Sequence, residues 1–370
     1  MLEKETLALH REKRSILLPI IRRKTMMISL VLLVLAEVAC GLSAQSGRQR
    51  LNTNVEGPLF VDESCIDCDT CRWMAPDTFD RAKGQSFVFR QPGDEEAWVE
   101  AESAALACPT GSIRSLESRP KEERKRVRDR FPVEVVPDVY HAGYHSKKSF
   151  GATSYVAKLG DIVVMVDSPR YSGTLAANIE KRFGLAPKYM LLTHIDDVSD
   201  HNKWKERFPD MERVMHKADI RGPDEWPYIE TRNIEIILGD DDKDEDEWSL
   251  SNGRITALHV PGHSQGSLAF LMPDIKAIFT GDHLAYSSRL DRLDGMARYG
   301  WNIPLQADSI AKLKHKDFLH ILPGHGRRMS FQSQEDRENN IQQAADTFRK
   351  DPHGREIMGK KEKDLALSSS

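Results

Sequence analysis

Met190-Leu191-Leu192-Thr193-His194-Ile195-Asp196-Asp197-Val198-Ser199-Asp200-His201 decides how the larger part of this chain folds. A short apolar run ends on a threonine and passes at once into imidazole and carboxylate side chains. That pattern fits a buried strand followed by a functional loop, because loops on a rigid sheet can aim side chains at one point. The same junction recurs downstream. Apolar residues 255–260 lead into Pro261-Gly262-His263, and residues 277–280 lead into Gly281-Asp282. A further histidine closes the set in Pro323-Gly324-His325. Imidazole with carboxylate and no sulfur is a donor set for zinc or iron.

Around these junctions the chain alternates short apolar runs with helical patterns. Strands are expected at 154–158, 162–166, 190–193, 255–260, 267–272 and 277–280, with Pro273-Asp274 turning between the last two. Helices are expected at 174–183, 202–207 and 308–313.

Several segments, in order, resemble the metallo-β-lactamase superfamily over residues 133–345. They are Ile162-Val163-Val164-Met165-Val166-Asp167-Ser168-Pro169, Thr193-His194, Asp200-His201, Pro261-Gly262-His263-Ser264-Gln265-Gly266-Ser267, Phe279-Thr280-Gly281-Asp282 and Leu322-Pro323-Gly324-His325-Gly326. The resemblance implies an α/β fold, an αββα sandwich with metals at one edge. It also implies two divalent metals, zinc with iron as the alternative. His194 and His263 would serve the first metal, Asp200, His201 and His325 the second, and Asp282 would bridge them. The family's first motif, H-x-H-x-D-H, is two residues longer here, and Asp196 stands where the second histidine belongs. Either Asp196 or Asp197 can supply the missing oxygen, or the first position stays empty. Asp167 is expected to orient the site loops.

A second donor set lies upstream. Cys65, Cys68 and Cys71 are followed, after 36 intervening residues, by Cys108-Pro109. Such spacing lets thiolates converge on an inorganic core, whereas structural zinc usually takes two separated C-x-x-C pairs. A strand is expected at 87–89 and a helix at 95–106, with Asp94 near its start and Pro109 ending it. The pattern resembles single-cluster ferredoxins and implies a [4Fe–4S] cluster in a small α+β domain over residues 57–117. That unit carries twelve acidic against five basic residues, a surface suited to a basic redox partner. The whole chain resembles ferredoxin–metallo-β-lactamase fusions of photosynthetic organisms.

The flanks differ in character. Residues 1–24 hold seven Lys or Arg, residues 26–36 are apolar but short of the ~20 needed to span a membrane, and residues 45–52 are basic and free of acid. Residues 1–50 are therefore expected to be a presequence, a signal peptide followed by a plastid transit stretch. A secretory signal or membrane anchor is the alternative, and the mature protein should have no stable membrane span. Residues 118–132 read as a charged linker, 240–247 as a solvated acidic loop and 346–370 as a disordered tail. With 370 residues and a formal charge of −4, nothing points to nucleic acid.

Three functions follow from the two donor sets. The leading expectation is a metal-dependent hydrolase of a small-molecule substrate, with Asp200 orienting or deprotonating the nucleophile. The second is a diiron oxidoreductase fed by the cluster in the same chain. The third is a non-catalytic metal-binding or assembly protein.

Overall fold

Four cysteines gather the first part of the chain around one small space. In this computed structural model, which describes residues 48–239 and 246–354, two antiparallel strand pairs frame it. Strands β1 (Leu59–Val61), β2 (Phe79–Ala82), β3 (Gln85–Val88) and β4 (Ile113–Ser115) pair as β1 with β4 and β2 with β3. Helix α1 (Thr70–Met74) follows Cys68. Helix α2 (Glu95–Ala107) starts where the Asp94 carboxylate accepts from Ala97 N–H and ends on Cys108. Such a cap satisfies an otherwise unpaired first-turn donor. Leu59, Val61, Phe79, Val88, Ala101, Ala104 and Ile113 form the apolar core.

The expected linker is not a free tether. Helix α3 (Lys121–Arg130) buries Val127, and Arg119 beside it pairs with Glu95 and Glu123 at 2.8 Å. Among the described residues, those from Arg50 onward form one compact unit.

The sandwich is built from runs buried on both faces. Strands β5 (Val133–Val136), β6 (Val139–His141), β7 (Tyr155–Leu159), β8 (Ile162–Val166), β9 (Tyr189–Leu191), β10 (Glu212–His216) and β11 (Ile236–Leu238) form a seven-stranded sheet in chain order. Its first four strands are antiparallel and its last four parallel. In β8, Val164 and Val166 face the second sheet while Val163 and Met165 face helices α4 (Gly173–Phe183) and α5 (His201–Arg207). Alternation is thus hidden inside an all-apolar strand, as two covered faces require.

Strands β12 (Glu247–Leu250), β13 (Ile255–His259), β14 (Leu268–Met272) and β15 (Ala277–Gly281) run antiparallel. A hairpin of β16 (Ala285–Ser287) and β17 (Arg292–Asp294) intervenes. Then β18 (His320–Pro323) joins β15 in parallel, with β19 (Met329–Ser330) outermost. Leu268, Phe270 and Phe279 meet the first sheet, and Ala269, Leu271 and Ile278 meet α6 (Ile303–Lys312) and α7 (Gln334–Lys350). The order is αββα.

The residues expected to form a tail from 346 onward begin inside α7, whose Phe348 is fully buried. Ile341, Ala344, Ala345 and Phe348 make its apolar stripe. Residues 1–47 of the expected presequence, Cys40 among them, most of the acidic loop and residues 355–370 lie outside the described residues, whereas Arg50 bridges to Asp62. Among the described residues no helix is long and apolar enough to cross a membrane.

Candidate metal centres

Strands β9, β13, β15 and β18 all point their C-terminal ends to one edge of the sandwich, and that edge collects the donors. His194 follows β9 through Thr193, His263 follows β13, Asp282 follows β15 and His325 follows β18. A 3-10 turn, Ile195–Asp197, directly after His194 turns both Asp196 and Asp197 inward.

Four atoms define the first position. His194 Nε2 lies 3.8 Å from Asp196 Oδ2 and 3.7 Å from Asp282 Oδ2. His263 Nε2 lies 3.6 Å from each of the same two oxygens. Ligands held at about 2.0–2.2 Å from a tetrahedral ion sit roughly 3.3–3.6 Å apart, so this spacing fits one cation. The His194 tautomer fits as well. Thr193 Oγ1 donates to Asp167, so it accepts from His194 Nδ1–H at 3.0 Å. This leaves the Nε2 lone pair facing the cavity with no hydrogen-bond partner.

A second position is outlined by Asp197 and Asp282, which group with His194, and by His325 beside Asp282. Asp197 is fully buried, and neither of its carboxylate oxygens has a hydrogen-bond partner. Buried carboxylates left this way are costly unless a cation answers them. A Cβ added to Gly324 would stand 2.7 Å from Asp197 Oδ2 and 3.1 Å from Asp282 Oδ1, so both oxygens face one small space. His325 Nδ1 lies 2.8 Å from Asp282 Oδ1, and its Nε2 is 3.3 Å from the Phe150 carbonyl.

The charges of the cavity's own side chains are out of balance. Burial, then Asp282, Asp167 and Asp196, push the Asp197 carboxyl well above its usual range. Burial acts the same way on Asp282, but His325, His194 and His263 outweigh it and hold that carboxyl low. Asp167 is pushed up to about 7, mainly by burial. The donor set fits zinc or iron.

The cysteines converge comparably. Cys65, Cys68, Cys71 and Cys108 line one cavity with Ile66, Thr70, Ser86 and Ser112, and none is in a disulfide. Asp67 and Asp69, between the cysteines, take left-handed φ values of 61° and 68°, which curl the loop. Ser86 N–H and Ser112 N–H point at Cys65 and Cys108 sulfurs from 3.4 and 3.3 Å. Burial raises the Cys68 thiol to about 11, so thiolates here need a metal cation as counter-charge.

Two family models match the chain. Residues 61–115 match the 4Fe-4S single cluster domain of Ferredoxin I, and residues 150–325 match the metallo-beta-lactamase superfamily. The chain joins a single-cluster ferredoxin domain to a metallo-β-lactamase domain. The hydroxyacylglutathione hydrolase of Mesorhizobium japonicum is 32% identical over 144 residues, which are 37% of this chain and 48% of that protein. The Pelagibacter ubique hydroxyacylglutathione hydrolase is 28% identical over 131 residues, 35% of this chain and 48% of that protein. The chain therefore spans about half the length of these curated relatives. A metallo-β-lactamase family protein from Thermus thermophilus superposes with a TM-score of 0.42 at 16% identity, covering 60% of this chain and 81% of that one. A metallo-β-lactamase from Hirschia baltica gives 0.41 at 14% identity, covering 58% and 96%.

The metallo-β-lactamase domain departs from the sequence expectation at two residues. Asp200 sits outside the centre. It accepts from Tyr171 N–H at 3.0 Å and faces Lys203 at 3.2 Å and Lys148 at 3.6 Å. His201 Nδ1 accepts from Arg213 at 3.0 Å and its Nε2 donates to the Glu230 carbonyl, with burial and then Arg213 lowering its pKa to about 4. The reason is local: the 3-10 turn delivers Asp197 to the cavity before the chain reaches Asp200. Sequence reasoning also missed Asp219. It accepts from Ile195 N–H at 3.1 Å and Gly266 N–H at 3.0 Å, and from the Ser264 hydroxyl, tying the His194 and His263 loops together. No motif marks it.

Asp200→Ala and His201→Ala are expected to keep two metal equivalents, and Asp197→Ala to lose one. Metal analysis of the three purified variants checks this. Loss of metal in either of the first two would restore the motif-based assignment.

Proposed function

We propose that the protein is a metal-dependent hydrolase acting on a small ester or thioester. The observation that supports this most is the pairing of two donor sets around one carboxylate, with Asp282 Oδ2 facing His194 and His263 and Oδ1 facing His325. The distant likeness to hydroxyacylglutathione hydrolases favours a thioester. When bound, two divalent metals supply an activated water and Lewis acidity toward a carbonyl.

The chain's own residues supply the rest. Asp196 and Asp282 neutralise cation charge, and Asp197 takes the role first expected of Asp200, orienting the nucleophile and holding its proton. Asp167, through Thr193, keeps the His194 lone pair turned inward. Two exposed aromatic rings lie on segments bonded to the ligand residues. Trp301 N–H donates to the His263 carbonyl at 2.8 Å, and Phe150 offers its carbonyl to His325. They present apolar surface to an acyl group.

Assay of zinc-, manganese- and iron-loaded protein against S-acylglutathiones and simple aryl esters tests the reading. Metal-dependent hydrolysis is expected, lost in Asp197→Ala and kept in Asp200→Ala. Fully metal-loaded protein that cleaves none of them would overturn it.

Redox chemistry at an iron pair is the second reading, favoured by one contact. The loop that rests against Cys68 also hydrogen-bonds His325. Iron in excess of the cluster after anaerobic purification would support it; two zinc would support hydrolysis.

A further inference from the structure

The loop between β6 and β7 belongs to the metallo-β-lactamase domain, yet one end of it rests on the cluster cysteines. Gly151, at φ 91°, is so close that an added Cβ would lie 2.9 Å from Cys68 Cβ, 3.0 Å from Pro109 Cγ and 3.4 Å from Cys68 Sγ. Its carbonyl accepts from His145 Nδ1–H at 2.8 Å. Thr70 Oγ1 lies 3.1 Å from that nitrogen and 3.4 Å from Cys68 Sγ. One residue back, the Phe150 carbonyl accepts from His325 Nε2–H at 3.3 Å. One peptide unit, Phe150–Gly151, therefore lies between the cluster cysteine Cys68 and a metal-centre imidazole.

A second route reaches the same histidine. Asp69 directly follows Cys68, and its carboxylate is gripped by Arg327, two residues beyond His325, at 2.8 and 3.2 Å. The intervening matter is protein, with Thr70, His145, Ser149 and Ala152 all buried. Salt screens buried charges far less than exposed ones.

We propose that the cluster and the metal centre are thermodynamically linked through His325, with Asp69, Arg327 and the Phe150–Gly151 backbone as the positioning elements. This rests on the metal-centre assignment made above. One electron taken from a low-potential one-electron donor turns the oxidised [4Fe–4S] cluster, charge 2+, into its 1+ form, and no bond is made or broken. The added negative charge attracts a cation at His325 and Asp282, so reduction tightens metal binding. Reciprocity then requires that filling the metal centre raise the cluster's reduction potential. A unit charge acting through roughly 10 Å at an effective dielectric near 20 changes affinity on the order of tenfold. For a one-electron couple, tenfold corresponds to about 59 mV.

The test is a redox titration of the full-length, cluster-loaded protein under anaerobic conditions, followed by the paramagnetic signal of the reduced cluster. It is run with the metal centre stripped by a chelator and again with two zinc ions, which cannot themselves be reduced. Each unit of net positive charge gained at the centre adds about 59 mV, so a rise of at least about 60 mV on zinc loading is expected. In Arg327→Gln the rise should fall to less than half while cluster and zinc contents stay complete, and Arg327→Lys should recover part of it. Should Arg327→Gln lose its cluster, Asp69→Asn tests the same pair, because each variant serves as its own zinc-free reference. No rise in the wild type with zinc demonstrably bound would overturn the linkage alone. A wild type that binds no zinc would overturn the metal-centre assignment. A full rise persisting in Arg327→Gln would remove the Asp69–Arg327 pair from the coupling.

Discussion

Asp282→Ala should empty both metal positions, the largest single effect expected of any substitution at this edge. One oxygen of Asp282 faces His194 and His263 at 3.7 and 3.6 Å, and the other accepts from His325 N–H at 3.1 Å and faces its Nδ1 at 2.8 Å. Removing the carboxylate leaves each position short by one anionic ligand and releases the His325 ring. Loss of a group that merely orients a ligand costs about 10–100-fold in metal affinity, so removing a shared ligand should exceed that range at both positions. Asp196→Ala makes the contrast. Its Oδ2 contacts the His194 and His263 nitrogens only, so the first ion should go while Asp197, Asp282 and His325 keep the second. Metal counts on the two variants decide the matter. Two ions retained by Asp282→Ala, or none by Asp196→Ala, would mean that the bridging assignment is wrong.

Cys108→Ser carries the second large effect. Cys108 ends α2 where its N–H bonds the Ala104 carbonyl, and Ser112 N–H approaches its sulfur at 3.3 Å. A serine oxygen there is a poor iron ligand and leaves three thiolates around a cluster that needs four. Anaerobically purified wild type should absorb broadly in the visible and bleach with dithionite, while the variant should be nearly colourless. The protein should remain folded, because serine is close to cysteine in size where residue 108 packs against the core of Leu59, Val61, Phe79, Val88 and Ile113. A colourless wild type carrying one zinc on its cysteines would defeat the iron–sulfur assignment.

The fold was legible in the sequence where burial left no choice. Residues 162–166 are apolar throughout and lie between a helical layer and the second sheet, so strand and boundaries coincide with expectation. The two strands around Pro273 were equally plain. Helix α7 was not: its polar residues outnumber its stripe of Ile341, Ala344, Ala345 and Phe348, and a charged end reads as tail until a partner face is known. At the metal centre, strand ends announced His194, His263, Asp282 and His325 because each lies directly after an apolar run. Spacing misdirected the choice between Asp197 and Asp200, since a motif with two extra residues does not say where the chain turns inward. Contacts across the domain boundary, such as Gly151 on Cys68 and Arg327 on Asp69, join residues far apart in the chain, and no local pattern encodes them.

The seat of Gly151 against Cys68 and Pro109 also bears on the order in which the protein is made. The 145–151 loop comes to rest on Cys68 only after the sandwich that anchors it has folded. The cysteine loop is synthesised first, so it is braced from this side only once the later domain is complete.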